Sequence, residues 1–143
     1  MKLGFYIFLC LLLMACNNEQ ASGPVEIIYD RDVCERCRMI ISDRYHAAQI
    51  REPVSRKVYK FDDIGGAIIW LQDKPYKDDL KTEIWVAHHK TGEWLAAKTA
   101  WYLPGSITPM AYGFSAQLKK NQKTIDFNTM LKILTTNLGS NRR

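Results

Sequence analysis

An α+β fold of two similar β-β-α units, with antiparallel strands and one helix in each, is predicted by three features of this sequence. Short β-rich runs are bounded by turn residues: Tyr45–Ile50 (YHAAQI), Lys57–Phe61 (KVYKF), Glu83–His88 (EIWVAH) and Tyr112–Leu118. Two longer apolar segments, Ile64–Gln72 and Phe127–Asn137, each follow an aspartate suited to an N-cap. An internal echo links the halves: His46-Ala47-Ala48-Gln49-Ile50, Val58-Tyr59-Lys60-Phe61-Asp62 and a helix, then Phe114-Ser115-Ala116-Gln117-Leu118, Thr124-Ile125-Asp126-Phe127 and a helix. Two degenerate copies of one unit account for the echo, and so does coincidence. With 143 residues, one domain is expected, large enough to bury a core without staples.

Taken in order, the chain starts with Lys2 and an apolar run, Gly4 to Met14, too short to span a bilayer as a helix. It ends in Leu13-Met14-Ala15-Cys16, which resembles a bacterial lipoprotein box. Residues 1–15 are therefore expected to be a signal peptide, with Cys16 lipidated and 16–24 a polar, flexible tether. Such a protein faces the periplasm on a lipid anchor. The outer membrane is preferred over the inner, because Asn17 is not an acidic retention signal. The functional domain is expected over 25–138.

Val25–Tyr29 (VEIIY) reads as a strand leading into Cys34-Glu35-Arg36-Cys37-Arg38-Met39. Glu52–Arg56 is a turn. Gly65 and Gly66 belong in the first turn of their helix, where something packs closely. Asp73–Lys81 is a connector, Thr91-Gly92 a hairpin turn into Glu93–Lys98, and Leu103–Pro109 a loop. The net charge of +5 is spread among acids and apolar residues, which speaks for a solvated surface and against a nucleic-acid stripe.

Once Cys10 and Cys16 are set aside, Cys34 and Cys37 are the cysteines of the mature chain. A bridge between them closes almost no loop, so their use is chemical. A Cys-x-x-Cys turn aims two thiolates at one ion, and in an extended segment Cys37 and Met39 share a face. Thiolate plus thioether is a soft set that selects Cu(I). Three uses stay open on the residues alone: Cu(I) binding, a thiol-disulfide oxidoreductase, and a zinc-stabilised binding module with His88-His89 as further ligands. Arg38 after the second cysteine excludes c-type haem attachment. Asp62 and Asp63 read as helix caps, and no Ser-His-Asp set, phosphate loop or paired carboxylates are evident, so no enzyme is expected.

The run Asp32-Val33-Cys34-Glu35-Arg36-Cys37-Arg38-Met39-Ile40-Ile41, then Gln49-Ile50, then Tyr59-Lys60-Phe61-Asp62-Asp63-Ile64-Gly65-Gly66-Ala67 resembles the NosL family. These are lipoproteins that act as copper chaperones for nitrous oxide reductase in denitrification. Gly92-Glu93-Trp94-Leu95, Ala100-Trp101-Tyr102 and Thr108-Pro109-Met110 with Gly113 and Ala116 extend the likeness from about Val25 to about Leu134. The family's pattern has glycine where this chain has Arg38. The resemblance implies paired β-β-α-β units with a metal site between the halves. It implies Cu(I) on Cys37 and Met39, with Met110 and Cys34 beside them and His46 or His88 as additional ligands. It also implies, as partners, an apo-cuproprotein (the reductase) and a membrane transporter complex.

Overall fold

The computed structural model describes residues 21–140, the last four by backbone alone. The signal segment 1–15, Cys16 and the start of the tether lie outside them. Among the described residues, six strands and two α-helices follow one another as β1 (Ala48–Arg51), β2 (Val58–Phe61), α1 (Ile64–Gln72), β3 (Glu83–Ala87), β4 (Trp94–Ala96), β5 (Trp101–Pro104), β6 (Phe114–Gln117) and α2 (Phe127–Ser140). The fold is α+β, as expected. One antiparallel sheet has the order β2-β1-β3-β4, and β5 pairs with β6 in a second. The sheets meet where His88 and Ala116 form a parallel bridge.

The core forms where the apolar periods of strand and helix coincide. Phe61, Ile64, Ile68 and Ile50 are closed off from solvent under α1. Burying each such side chain contributes roughly 1.5–3 kcal/mol. Trp70 covers their edge, with ring centroids 4.5 Å from Tyr59 and 5.3 Å from Phe61. Met130 and Leu134 of α2 complete the core, and Phe127 sits 6.3 Å from Tyr102. Asp126 caps α2 by accepting from the Thr129 N–H at 2.7 Å.

Three expectations are corrected. Val25–Tyr29 is not a strand. The buried Gln49 amide takes the place of a partner strand, donating to the Val25 carbonyl at 2.7 Å and accepting from the Val25 N–H at 2.8 Å. The loop expected over Leu103–Pro109 begins later, since Trp101–Pro104 is β5; Pro104 ends that strand, where a missing N–H costs little. Tyr45 and His46 belong to a turn ahead of β1.

The halves share their ingredients but differ in pairing. In the first, the strand before the helix lies against β1; in the second, Ile125 before α2 bridges Tyr102 of β5, not β6. The tether's last residues are held against the body. Gly23 donates to Glu83 Oε2 at 2.8 Å, and the guanidinium of buried Arg51 donates to the Gly23 carbonyl at 2.7 Å.

Candidate metal centre

The Cys34–Met39 stretch is a tight hairpin. Cys34 N–H donates to Met39 O (2.8 Å), Arg38 N–H to Cys34 O (3.0 Å) and Ile41 N–H to Asp32 O (2.9 Å), while Val33 bridges Ile40. Closing it puts Arg38 at φ 64°, in the left-handed region that favours glycine. At that angle arginine carries a strain of about 1 kcal/mol. The same turn corrects the expected extended run from Cys37 to Met39. Met39 instead stands across the hairpin from Cys34 and is 50% exposed.

The hairpin is fixed to β2. Glu35 N–H donates to Lys60 O at 2.8 Å, and Lys60 Nζ donates to Asp32 Oδ2 at 2.6 Å. That docking brings the thiols to the junction of β2 and α1. Cys34 Sγ donates to Asp62 Oδ1 at 3.2 Å and Cys37 Sγ to Asp62 Oδ2 at 3.3 Å. The three donor atoms lie within 4.8 Å of one another, close enough to hold a metal ion. Cys34 and Asp62 are buried; Cys37 is half-buried. Burial, the Cys34 thiol and the Asp62 carboxylate push the Cys37 thiol up to about 12, against the Met39 amide, which favours the thiolate. Without an ion Cys37 is therefore held as a thiol, on the carboxylate that it shares with Cys34.

Asp63 is the N-cap of α1, accepting from Gly65 N–H at 2.8 Å. Its other oxygen accepts from Thr108 Oγ1 at 2.5 Å and from Met110 N–H at 3.3 Å. Burial pushes its carboxyl above the usual range, opposed by these hydrogen bonds. The loop carrying Met110 is thus tied to the residue next to Asp62. Tyr112 of the same loop lies on Gly65, whose added Cβ would fall 2.3 Å from Tyr112 Cβ and Cγ. Arg36 reaches over that ring, 5.8 Å from its centroid. The close packing expected at the glycine pair is therefore this tyrosine, and it leans on Gly65.

The cluster joins Cys34 and Cys37 and adds Asp62, expected from the sequence to be a helix cap. The adjacent pair Asp62-Asp63 was the available signal: one helix needs one N-cap, so the second carboxylate has another use. The histidines lie apart from this cluster. His46 is bonded through Nδ1 to Asp43 Oδ2 at 2.8 Å and through Nε2 to Ser115 Oγ at 3.1 Å. This aspartate–histidine–serine line was not evident from the sequence. Ser115 is buried in β6, so the line ties the turn before β1 to the second half. His88 and His89 stack at 5.4 Å in a shallow cleft with Leu95 and Gln117.

The fold and site together define an α+β domain with a two-cysteine, one-carboxylate candidate metal centre at a strand–helix junction. No family model matches the chain, and no curated protein does. Among the described residues no helix is long and apolar enough to cross a membrane.

Proposed function

We propose that the protein is a membrane-anchored, extracytoplasmic Cu(I) chaperone that delivers copper to a cuproenzyme, with Cu(I) as its cargo. The observation that carries this reading is the half-exposed Met39 thioether on the same hairpin as the two thiols. Zinc sites are built from thiolate, imidazole and carboxylate; a thioether presented to solvent beside thiolates suits a soft monovalent ion. Cys34 and Cys37 bind the ion, and Met39 serves as the donor nearest an approaching acceptor. Met110 is the candidate complement from the second half, because its backbone is tethered to Asp63.

Asp62 then has a role distinct from that of a soft ligand. In the ion-free protein it accepts both S–H bonds and fixes both sulfurs on one side of the junction. The transfer step is ligand exchange: an acceptor thiolate adds to copper, one chain sulfur leaves, and the copper oxidation state is unchanged. Resemblance to the NosL lipoproteins supports nitrous oxide reductase maturation as the setting. It also supports the lipidated Cys16 and the pairing with an apo-reductase and a transporter complex.

One observation favours a second reading. The carboxylate of Asp62 makes the cluster an S2O set, which suits zinc in a structural or binding module. Parallel titrations of the reduced protein with Cu(I) and Zn(II), each against a competing chelator, separate the two. The copper reading expects one tightly held Cu(I) per chain and a loss of at least tenfold in affinity in Met39→Ala. Tight zinc binding that is indifferent to Met39→Ala, with weak copper binding, would sink it.

A further inference from the structure

The chain enters its domain through a clamp. Arg51 ends β1 and is only 2% exposed; its guanidinium donates to the Gly23 carbonyl at 2.7 Å and to the Arg56 carbonyl at 2.9 Å. Arg56 donates through Nε to the Ala21 carbonyl at 2.8 Å and through Nη2 to Glu83 Oε1, while Glu83 Oε2 accepts the Gly23 N–H at 2.8 Å. Gln49 holds both backbone groups of Val25. A buried guanidinium that loses its acceptors is costly, so residues 21–25 stay on the body.

The clamp lies at one end of the four-stranded sheet. Arg51 pairs with Val58 on one side and Glu83 on the other, so the end of β1 and the starts of β2 and β3 sit side by side. Two loops at this end each present a bare apolar side chain: Val54, 86% exposed on the Glu52–Lys57 turn, and Leu80, 94% exposed just ahead of Glu83. Lys57, Lys77 and Lys81 on these loops are interspersed with Glu52, Asp78 and Asp79, so neither sign of charge dominates. The metal centre is at the other end: Phe61 closes β2 and Asp62 follows it. At the rise of a strand, Asp62 lies about 13 Å from Val58.

We propose that the clamped end of the sheet rests on the lipid bilayer, with Val54 and Leu80 in the interface and the metal centre turned away. The inference rests on the anchored reading, in which Cys16 carries the lipid. Five residues lead from Cys16 to Ala21, and fully extended they reach at most about 18 Å. A domain of this size is roughly 35 Å across. A leash half that long, ending in a clamp, cannot let the face opposite the clamp roll onto the membrane. The bilayer is therefore the surface that Val54 and Leu80 meet, and an extracytoplasmic acceptor reaches the thiols from the aqueous side.

Hydroxyl-radical footprinting of the full lipidated chain on phosphatidylcholine vesicles tests this, with each residue's oxidation rate normalised to the urea-unfolded chain. Ile107 is the internal reference: it is 95% exposed, but on the loop that Thr108 ties to Asp63 beside the metal centre. Val54 and Leu80 are expected to oxidise at least fivefold more slowly than Ile107, on phosphatidylcholine and phosphatidylglycerol alike. R56M/E83Q frees the strap and is expected to bring the ratio close to one; should that variant not fold, the ratio in the unaltered chain still decides.

Equal oxidation of Leu80 and Ile107, or slower oxidation of Ile107 and Met39, overturns the orientation and leaves the anchor standing. Protection confined to phosphatidylglycerol overturns it too, since bilayer charge and not the clamp would then set the pose. So does protection that grows with the protein-to-lipid ratio, which would make a second copy of the chain the occupant. The mass of the membrane-extracted chain separates the two readings: Cys16 without a diacylglyceryl group removes the anchor, and the orientation with it.

Discussion

Replacing Gly65 by alanine, with Gly66→Ala as its internal control, probes how the two halves meet beside the metal centre. A Cβ on Gly65 would lie 2.3 Å from both Cβ and Cγ of Tyr112 and 2.8 Å from Cδ2. Those first two atoms sit at the root of the side chain, so ring rotation does not relieve the overlap; the loop itself must withdraw. That withdrawal pulls on the bonds from Thr108 and Met110 to Asp63. Overpacking of this kind costs about 1–3 kcal/mol. Alanine's advantage over glycine in a helix returns at most about 1 kcal/mol, and less in a first turn. The net expectation for Gly65→Ala is a loss of roughly 1–2 kcal/mol. On Gly66 a Cβ would meet Tyr112 Cε2 at 3.7 Å and Arg36 Cδ at 3.9 Å, ordinary contacts, so Gly66→Ala should be neutral or stabilising. Urea unfolding of both variants gives the comparison. Gly65→Ala should also weaken Cu(I) binding if Met110 contributes, while Gly66→Ala should not. Equal stabilities, or a more stable Gly65→Ala, would refute the packing of Tyr112 on the start of α1.

Other outcomes follow from the same geometry. Metal uptake should strengthen with pH: Cys37 is held as a thiol up to about 12, so binding displaces at least its proton, and apparent affinity should rise about tenfold per pH unit between pH 6 and 8 in a competition titration. Asp62→Asn removes one of the influences that raise Cys37, so alkylation of Cys37 by iodoacetamide at pH 8 should accelerate several-fold; slower alkylation contradicts the shared-carboxylate arrangement. Burial raises the Glu83 carboxyl, but hydrogen bonds from Gly23, Arg56, Trp85 and Ser22 outweigh it and bring it down to about 2 from 4.5. A depressed acid stabilises the fold above its unfolded value and loses that contribution as pH falls from about 4.5 toward 2. Glu83→Gln should therefore flatten acid unfolding in that window and speed proteolysis near Gly23. Arg38→Gly should relieve the left-handed strain and stabilise the chain by up to about 1 kcal/mol, seen as a higher urea midpoint.

The elements legible in the sequence were those specified locally. Ile64–Gln72 is bounded by a capping aspartate and an apolar run, and the structure gives the same span. Lys57–Phe61 and Glu83–His88 are rich enough in β-branched and aromatic residues to locate β2 and β3 within a residue or two. Val25–Tyr29 carries the same β-rich composition, yet the Val25 backbone is bonded by the buried Gln49 side chain and not by a partner strand, a long-range contact with no local signature. The thiols were legible because their spacing is itself the chemistry. Asp62 was not, because its use depends on the hairpin docking on β2 through Glu35 and Lys60, a long-range event with no local signature. Arg38 shows the converse: the turn closes in spite of the residue, since the bonds flanking it fix the backbone.

The central claim is that the sulfurs of this hairpin hold copper while the neighbouring carboxylate stands by. X-ray absorption of the Cu(I)-loaded, reduced protein tests it most directly. The expected result is a coordination shell of sulfur alone, two thiolates with a thioether that disappears in Met39→Ala. A shell containing oxygen or nitrogen, or one unchanged by that substitution, would contradict it.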